Sequence, residues 1–258
     1  FTDRDGKYQL GALAESAFDP LSRTCRFMLT EEAHHLFVGE TGLGRIVRRT
    51  AQLMKDDPNE DAAAKGGIPL ALLQRYINYW FSFCLDLFGS EVSSTAADNF
   101  LAGLKGRWQE AAQYDDHNGQ GKHIDIPHVL DSQLTTQHVP LAVGINEVLR
   151  SEYVADCEKV VARLNKVLID EGLPPQLRLP HRRFHRRQGL YANHQFDLLG
   201  EMITEEQWEE CRNDWLPRAA DDELLKTLMV PVYEPGKMAN WICPPRRGIK
   251  GKSADFEY

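Results

Sequence analysis

The chain has 258 residues, of which 42% are hydrophobic and 26% are charged, as is ordinary for a soluble globular protein. Its formal net charge of −8 disfavours a general nucleic-acid-binding protein, and no stretch approaches the ~18 consecutive apolar residues of a membrane helix. The five cysteines are scattered without a Cys-x-x-Cys pair, which argues against a zinc ribbon or a disulfide framework and favours a reducing cytoplasm. We interpret the start at Phe1, instead of a methionine, as an open end left by processing or by a truncated reading frame.

The first half of the chain is predicted to be mostly helical. Residues 3–57 have the pattern of two long helices separated at Asp19-Pro20, where an Asp that can cap a helix precedes a Pro at the first helical position. Residues 56–67 are predicted to form a polar loop, and two further helices are predicted over residues 68–87 and 94–114.

The second half is less regular. Residues 115–140 show little periodicity and are predicted to be a long loop or a small strand-bearing excursion. Residues 141–170 have the pattern of an amphipathic helix, which Gly172 and two prolines bring to an end. A basic run follows at residues 178–187, and a short acidic helix is predicted over residues 205–215. The chain ends in a Pro/Gly-rich tail over residues 231–258. We therefore predict a mainly α fold with an irregular C-terminal extension.

The second helix contains two overlapping Glu-x-x-His pairs, Glu31/His34 and Glu32/His35. On a helical wheel Glu32 and His35 share the arc of the apolar residues, whereas His34 lies on the arginine-bearing far side and Glu31 at the edge. A metal ion would supply the partner that a buried carboxylate and imidazole need, and these ligands suit the non-haem iron of ferritin-like bundles. A metal-free Glu–His hydrogen bond, or a pair that faces a water-filled cleft, is the alternative.

The first helix adds one candidate ligand. If this helix extends back to Asp3, that carboxylate falls on its apolar face, whereas Asp5 and Glu15 fall well away from the face. Two antiparallel helices would bring Asp3 towards the level of Glu32. Gly6 weakens helix continuity, so an exposed acid in the first turn is the alternative.

Six stretches spread over the chain carry a family resemblance: residues 1–42 (FTDRDGKYQLGALAESAFDPLSRTCRFMLTEEAHHLFVGETG), LDLFGSEVSS (85–94), GLKGRWQE (103–110), NEVLR (146–150), PHRRFHR (180–186) and EPGKMANWICPP (234–245). They closely resemble the oxygenase component of benzoyl-CoA 2,3-epoxidase, a ferritin-like di-iron monooxygenase family. Because the stretches span nearly the whole chain, they are more specific than one Glu-x-x-His motif.

The resemblance implies a ferritin-like bundle that holds two irons through carboxylates and two histidines. Asp3, Glu32 and His35 match one half-site as metal ligands, and Glu32 and His35 are the residues of the catalytic centre. The family's other acidic ligand and its first Glu-x-x-His lie on two helices upstream of Phe1. We therefore expect an incomplete bundle that binds iron poorly and is inactive alone. We expect residues 1–114 to form part of the di-iron domain and residues 115–140 to form a loop or small excursion. Residues 141–258 are expected to form a helix and an irregular extension that packs on the bundle.

The activity implied by the resemblance is epoxidation of the benzoyl-CoA ring at its 2,3-bond with O2, in aerobic benzoate degradation. Electrons would come from NADPH through a separate reductase that carries FAD and iron–sulfur clusters. No nucleic acid or membrane partner is implied. Two alternatives stay open: a non-catalytic helical module that binds coenzyme A or another acidic ligand, and a related di-iron oxygenase with a different aryl-CoA substrate.

The basic run at 178–187 is a candidate site for the phosphates of coenzyme A. Clustered arginines present forked donors that match phosphate oxygens, which points to Arg182, Arg183 and Arg186, with Arg187 beside them. A solvated surface run that balances acidic neighbours is the alternative. The sequence places no carboxylate or cysteine beside the histidines of this run, so we discount a metal site there.

Overall fold

The computed structural model describes residues 1–57, 59, 61–115, 117, 119, 121–130, 133–247 and 257–258. Helices dominate this part of the chain, which confirms the predicted mainly α fold. The α-helices are α1 (Thr2–Ala14), α2 (Asp19–Lys55), α3 (Leu70–Leu87), α4 (Ser94–Leu101), α5 (Glu110–Gln113), α6 (Ile145–Asp170), α7 (Glu205–Trp215) and α8 (Ala219–Leu228). The strands are β1 (His123–Leu130), β2 (Gln133–Pro140), β3 (Gln195–Phe196) and β4 (Met202–Ile203). None of these helices combines the length and the apolar character required to span a bilayer.

The predicted helix over 94–114 is interrupted, because residues 102–109 are not α-helical and separate α4 from the short α5. α4 ends at Leu101, and Gly103 then adopts a φ of +72°, a left-handed conformation that commonly ends helices. The following Gly106 donates its N–H to the Ala12 carbonyl at 2.8 Å, and a Cβ at Gly106 would lie 2.7 Å from the Cβ of Glu15. This close approach to α1 holds the segment in a non-helical path. The sequence also gave no prediction for α8.

Residues 115–140 contain the predicted strands instead of a plain loop. β1 and β2 pair in antiparallel register from His123 opposite Pro140 to Leu130 opposite Gln133. Ile126 is fully buried, whereas most of the other side chains of this hairpin are exposed or half-buried. Residues 116, 118, 120, 131 and 132 lie outside the described part of the chain.

The chain divides into two compact units, each made of three segments. The first contains residues 1–36, 80–158 and 180–209, and the second contains residues 37–79, 159–179 and 210–258. The segment boundaries that were predicted from the sequence, after residues 114 and 140, stay a prediction.

An aromatic cluster forms the core of the first unit. The Tyr153 ring lies 6.1 Å from the Phe81 ring in a stacked arrangement, 5.4 Å from the Phe88 ring, and 6.5 Å from the Tyr8 ring in an edge contact. These contacts join α1, the end of α3 and the start of α6, because each helix turns an apolar face to the same point. α1 is thereby fixed against a rigid core, which holds its first turn in place.

The second unit is held by polar contacts as well as apolar ones. Arg75 on α3 forms an ion pair of 2.7 Å with Asp221 at the start of α8. Asn78 donates to the Trp215 carbonyl at the end of α7, at 2.9 Å. In the same unit Thr50 donates to the Ile68 carbonyl at 2.7 Å, which fixes the chain just before α3 against α2.

Candidate metal centre

Asp3, Glu32 and His35 lie together in the first unit. Each residue has one potential ligand atom, a carboxylate oxygen or a ring nitrogen, and these three atoms lie within 4.8 Å of one another. α1 begins at Thr2, so Asp3 occupies its first turn, and Glu32 and His35 lie one turn apart on α2. The geometric prediction that Asp3 reaches the level of the Glu-x-x-His turn is confirmed.

Gly6 lies directly beneath the Glu32 carboxylate. A Cβ at this position would lie 3.3 Å from both Cδ and Oε2 of Glu32, which is closer than side chains ordinarily approach. α1 runs through Gly6 without a break. The glycine therefore leaves the helix continuous and gives the Glu32 carboxylate the room to lie against it.

The burial of the three residues is uneven. Glu32 is half-buried, and its Oε2 atom is buried without a hydrogen-bond partner. His35 and Asp3 are exposed, so the prediction that the apolar stripe buries both Glu32 and His35 is wrong for His35. The reason is that this stretch of α2 is poorly covered: Phe27 is 72% exposed and Met28 is 43% exposed.

The electrostatics of Glu32 favour a cation. Burial raises the pKa of its carboxyl, the nearby Asp3 carboxylate raises it further, and His35 opposes the shift. A buried carboxylate oxygen without a donor is unfavourable, and a bound cation would satisfy it. Two carboxylates and one imidazole form a donor set that suits iron and other divalent transition metals.

Asp5 is a buried acid that interacts electrostatically with Glu32 and that the helical wheel did not predict. It was predicted to fall away from the apolar face, but it is buried. Burial raises its pKa to about 6, the hydrogen bond from Gln9 lowers it, and the Glu32 carboxylate raises it. The Gln9 amide donates to Asp5 at 3.4 Å from one turn further along α1. Three acids are thus concentrated at one end of α1, where negative charge accumulates.

The competing pair Glu31/His34 faces solvent. Both residues are exposed, as the helical wheel predicted for His34; it placed Glu31 at the edge of the apolar arc. Glu32 and His35, by contrast, have ligand atoms close to Asp3, and this proximity distinguishes the two pairs.

Arg186 does not have the ligand-binding role that was predicted for it. Its side chain is buried, its Nε lies 2.6 Å from Asp86 and its Nη2 lies 3.0 Å from Glu91. The predicted contact with a coenzyme A phosphate is therefore wrong, because the guanidinium is occupied inside the protein. The sequence could not show this pairing, since both acids lie about a hundred positions earlier in the chain.

Arg182 and Arg183 are half-buried and also contact the protein. Arg182 donates to the Ser151 hydroxyl at 3.2 Å and lies 2.6 Å from Glu147, and Arg183 donates to the Gly200 carbonyl at 3.0 Å. Their role as contacts for coenzyme A phosphates stays a prediction. In the same segment the His185 ring stacks on the Trp208 ring, with 5.4 Å between the ring centroids. The pKa of His185 is lowered to about 4, mainly by burial and also by the positive charge of Arg187.

No protein-family model matches the chain. The chain is 45% identical over 260 residues to benzoyl-CoA oxygenase component B of Aromatoleum evansii, in an alignment that covers 100% of the chain. The same alignment covers 55% of the relative, so the chain spans about half the length of this curated protein. The chain is therefore similar over its whole length to about half of a benzoyl-CoA oxygenase component B.

Proposed function

We propose that the chain forms part of the oxygenase component of a benzoyl-CoA epoxidase, in which Asp3, Glu32 and His35 bind one iron of a di-iron centre. The observation that carries the proposal is the convergence of these three residues, with an unsatisfied carboxylate oxygen on Glu32. The name of the relative, a benzoyl-CoA oxygenase component, supports the substrate class. The ligands of a second iron, by family resemblance, come from two helices outside this sequence.

Each ligand has a distinct task in this proposal. Glu32 and Asp3 supply carboxylate oxygens, and His35 supplies a neutral ring nitrogen. Gly6 leaves the space in which the Glu32 carboxylate lies against α1. The buried Asp5 sets the local charge beside Glu32. When iron is bound, it supplies the capacity to activate O2.

The remaining parts of the reaction are proposed from the family. One oxygen atom enters the 2,3-bond of the aromatic ring and the other leaves as water. The two electrons for this step come from NADPH through a separate reductase with FAD and iron–sulfur clusters. The product is the 2,3-epoxide of the aromatic thioester, 2,3-epoxy-2,3-dihydrobenzoyl-CoA, and the two electrons reduce the second oxygen atom to water.

Metal binding by the chain itself tests the site directly. Co(II), whose absorption reports the ligand field, should bind weakly to the half-site of the chain, and its affinity should fall about tenfold or more in Glu32→Gln and His35→Ala. Glu31→Gln and His34→Ala are matched controls, because they change the same residue types one position earlier on α2. Unchanged Co(II) binding in the Glu32 and His35 variants, or loss in the controls alone, would refute the site.

Activity requires the rest of the enzyme. A chimera in which this chain replaces the matching 55% of the Aromatoleum evansii protein should convert benzoyl-CoA to the epoxide with O2, NADPH and the reductase. Iron analysis of the same chimera should give two metals per chain, and His35→Ala should remove iron and activity together. A panel of other aryl-CoA thioesters then decides between this substrate and a related one. Turnover in the His35→Ala chimera would contradict the proposal.

A further inference from the structure

The second unit contains a cavity of about 540 Å³ that four arginines line. This volume lies in the range of roughly 300–1,000 Å³ that is typical of small-ligand sites. Its apolar wall includes Phe37, Val167 and Pro245, and its cationic wall consists of Arg45, Arg48, Arg246 and Arg247. The cavity therefore combines a positively charged side with an apolar side.

The charge of this cavity is opposite to that of the whole chain, whose formal net charge is −8. Glu40 is the acid in the lining, and its carboxylate forms an ion pair with Arg163. Among the residues that the structure describes, no carboxylate forms an ion pair with Arg45, Arg246 or Arg247. The positive charge of the lining is thus available to an anionic ligand.

Two of the arginines are held in place by the protein. Arg45 donates its Nε to the Cys243 carbonyl at 2.6 Å, and the Cys243 N–H donates back to the Arg45 carbonyl at 3.2 Å. The Nε atom of Arg48 lies 3.2 Å from a carboxylate oxygen of Glu171, and this ion pair holds the side chain. A guanidinium fixed in this way loses little side-chain entropy on binding, and its forked donors match phosphate oxygens.

The apolar wall favours a ligand that is more than an inorganic anion. Phe37 is 68% exposed on α2, although it is a large aromatic side chain. An aromatic base or an alkyl chain packed on Phe37 and Val167 would remove this apolar surface from water. A nucleotide meets both requirements, because it carries phosphates at one end and a planar base at the other.

We propose that this cavity binds a nucleotide phosphate group through Arg45, Arg48, Arg246 and Arg247, with the rest of the ligand against Phe37 and Val167. If the proposed function holds, the ligand is the phosphorylated adenosine part of the coenzyme A thioester, and this identity rests on that function. Phosphate recognition by the cavity does not depend on the metal centre.

Binding of adenosine 3′,5′-bisphosphate to the whole chain, measured by titration calorimetry, tests the proposal. The double variant Arg246→Gln/Arg247→Gln should weaken binding about tenfold or more, because each lost arginine removes charge-assisted hydrogen bonds. Both residues are exposed, so the variant should keep the fold, which circular dichroism verifies. Adenosine without phosphates serves as the uncharged probe and should bind weakly to both proteins.

The double variant Arg23→Gln/Arg26→Gln is the matched control, since it removes two exposed arginines of α2 that do not line the cavity. It should leave bisphosphate binding unchanged. Equal affinity in the Arg246/Arg247 variant and the unmodified chain, or loss confined to a variant of the other predicted phosphate cluster, Arg182→Gln/Arg183→Gln, would overturn the proposal.

The metal-site variants separate this inference from the proposed function. Glu32→Gln and His35→Ala should lose Co(II) and retain bisphosphate binding. Bisphosphate binding together with Co(II) affinity that is equal in the unmodified chain and in the Glu32 and His35 variants would refute the metal centre alone. A chain that binds Co(II) without bisphosphate would refute the cavity alone.

Discussion

Two clusters of acidic residues in the first unit differ in how their charge is satisfied. Around Arg150 and Arg186, the buried carboxylates of Glu91 and Glu147 face guanidinium groups of the same protein. Near the N-terminal end of α1, the carboxylate of Glu32 on α2 has one buried oxygen without a hydrogen-bond partner. A buried acid that the protein pairs internally serves the fold, whereas an acid that it leaves unpaired is available to a ligand.

The internally paired cluster is nearly complete in its hydrogen bonds. Arg150 is fully buried, donates to the Leu85 carbonyl at 3.0 Å, and also contacts Glu147 and the Gly89 carbonyl. Glu91 accepts the Leu190 N–H at 2.8 Å in addition to its arginine contacts. This network joins the end of α3, the start of α6 and the segment that contains Arg186.

Removal of Arg150 should give the largest loss of stability. Arg150→Met leaves Glu91 and Glu147 buried without their central cation, and we expect the free energy of unfolding to fall by about 3–5 kcal/mol. Urea denaturation followed by circular dichroism measures this change. Arg187→Met, which removes an exposed arginine nearby, should change stability by less than about 0.5 kcal/mol. Equal stability in the two variants would show that the network is not structural.

A smaller loss is expected from Gly189→Ala. Gly189 has a φ of +78°, and a Cβ there would overlap the Glu91 carboxylate. We expect a loss of roughly 2–4 kcal/mol in the free energy of unfolding, from backbone strain together with a displaced ion pair. Gly236→Ala is the control, because Gly236 has a φ of +81° with no atom within 4 Å of the added Cβ. The control should lose only about 1 kcal/mol; a loss as large as that of Gly189→Ala would assign the effect to strain alone.

Glu152 tests the opposite case, in which one carboxylate oxygen of a half-buried acid has no hydrogen-bond partner. Its Oε2 is buried without a hydrogen bond, and burial raises its pKa to about 7, although Lys7 opposes the shift. Glu152→Gln should therefore stabilise the protein at pH 8 by about 1–2 kcal/mol, after allowance for solvent screening.

The sign of the Glu152 effect follows from linkage. Because the folded pKa is raised, the protonated acid stabilises the fold at low pH, and this contribution is lost as the pH rises from about 4.5 through 7. The stability difference between Glu152→Gln and the unmodified chain should thus be absent near pH 4 and largest above pH 7. Urea titrations across this range measure it, and a constant difference would contradict the predicted origin.

The smallest change in stability is expected at Gly6. An added methyl group lies 3.3 Å from the Glu32 carboxylate, so Gly6→Ala should displace that carboxylate by a few tenths of an ångström. The better helix propensity of Ala offsets the crowding, and we expect a net change within about 1 kcal/mol. Co(II) affinity should nevertheless fall several-fold. Gly39→Ala on α2, where the added Cβ meets no atom within 4 Å, should leave Co(II) binding unchanged.

The sequence by itself determined the long helices and the face on which the candidate ligands lie. Punctuation at Asp19-Pro20 placed the boundary between α1 and α2, and the 3.6-residue period separated Glu32 and His35 from Glu31 and His34. These features are local, because the direction of a helical side chain follows from its position along one continuous element. Asp3 was predicted for the same reason.

Only the tertiary structure decided which charged groups are satisfied. Asp86 and Glu91 meet Arg186 across 100 and 95 positions, and the four arginines of the cavity come from distant segments of the chain. The same is true of the end of α4 and the burial of Asp5, which depend on close packing against other elements. A local pattern gives a side chain its direction, but its neighbours are supplied by elements far away in the sequence, and those neighbours determine whether its charge is neutralised.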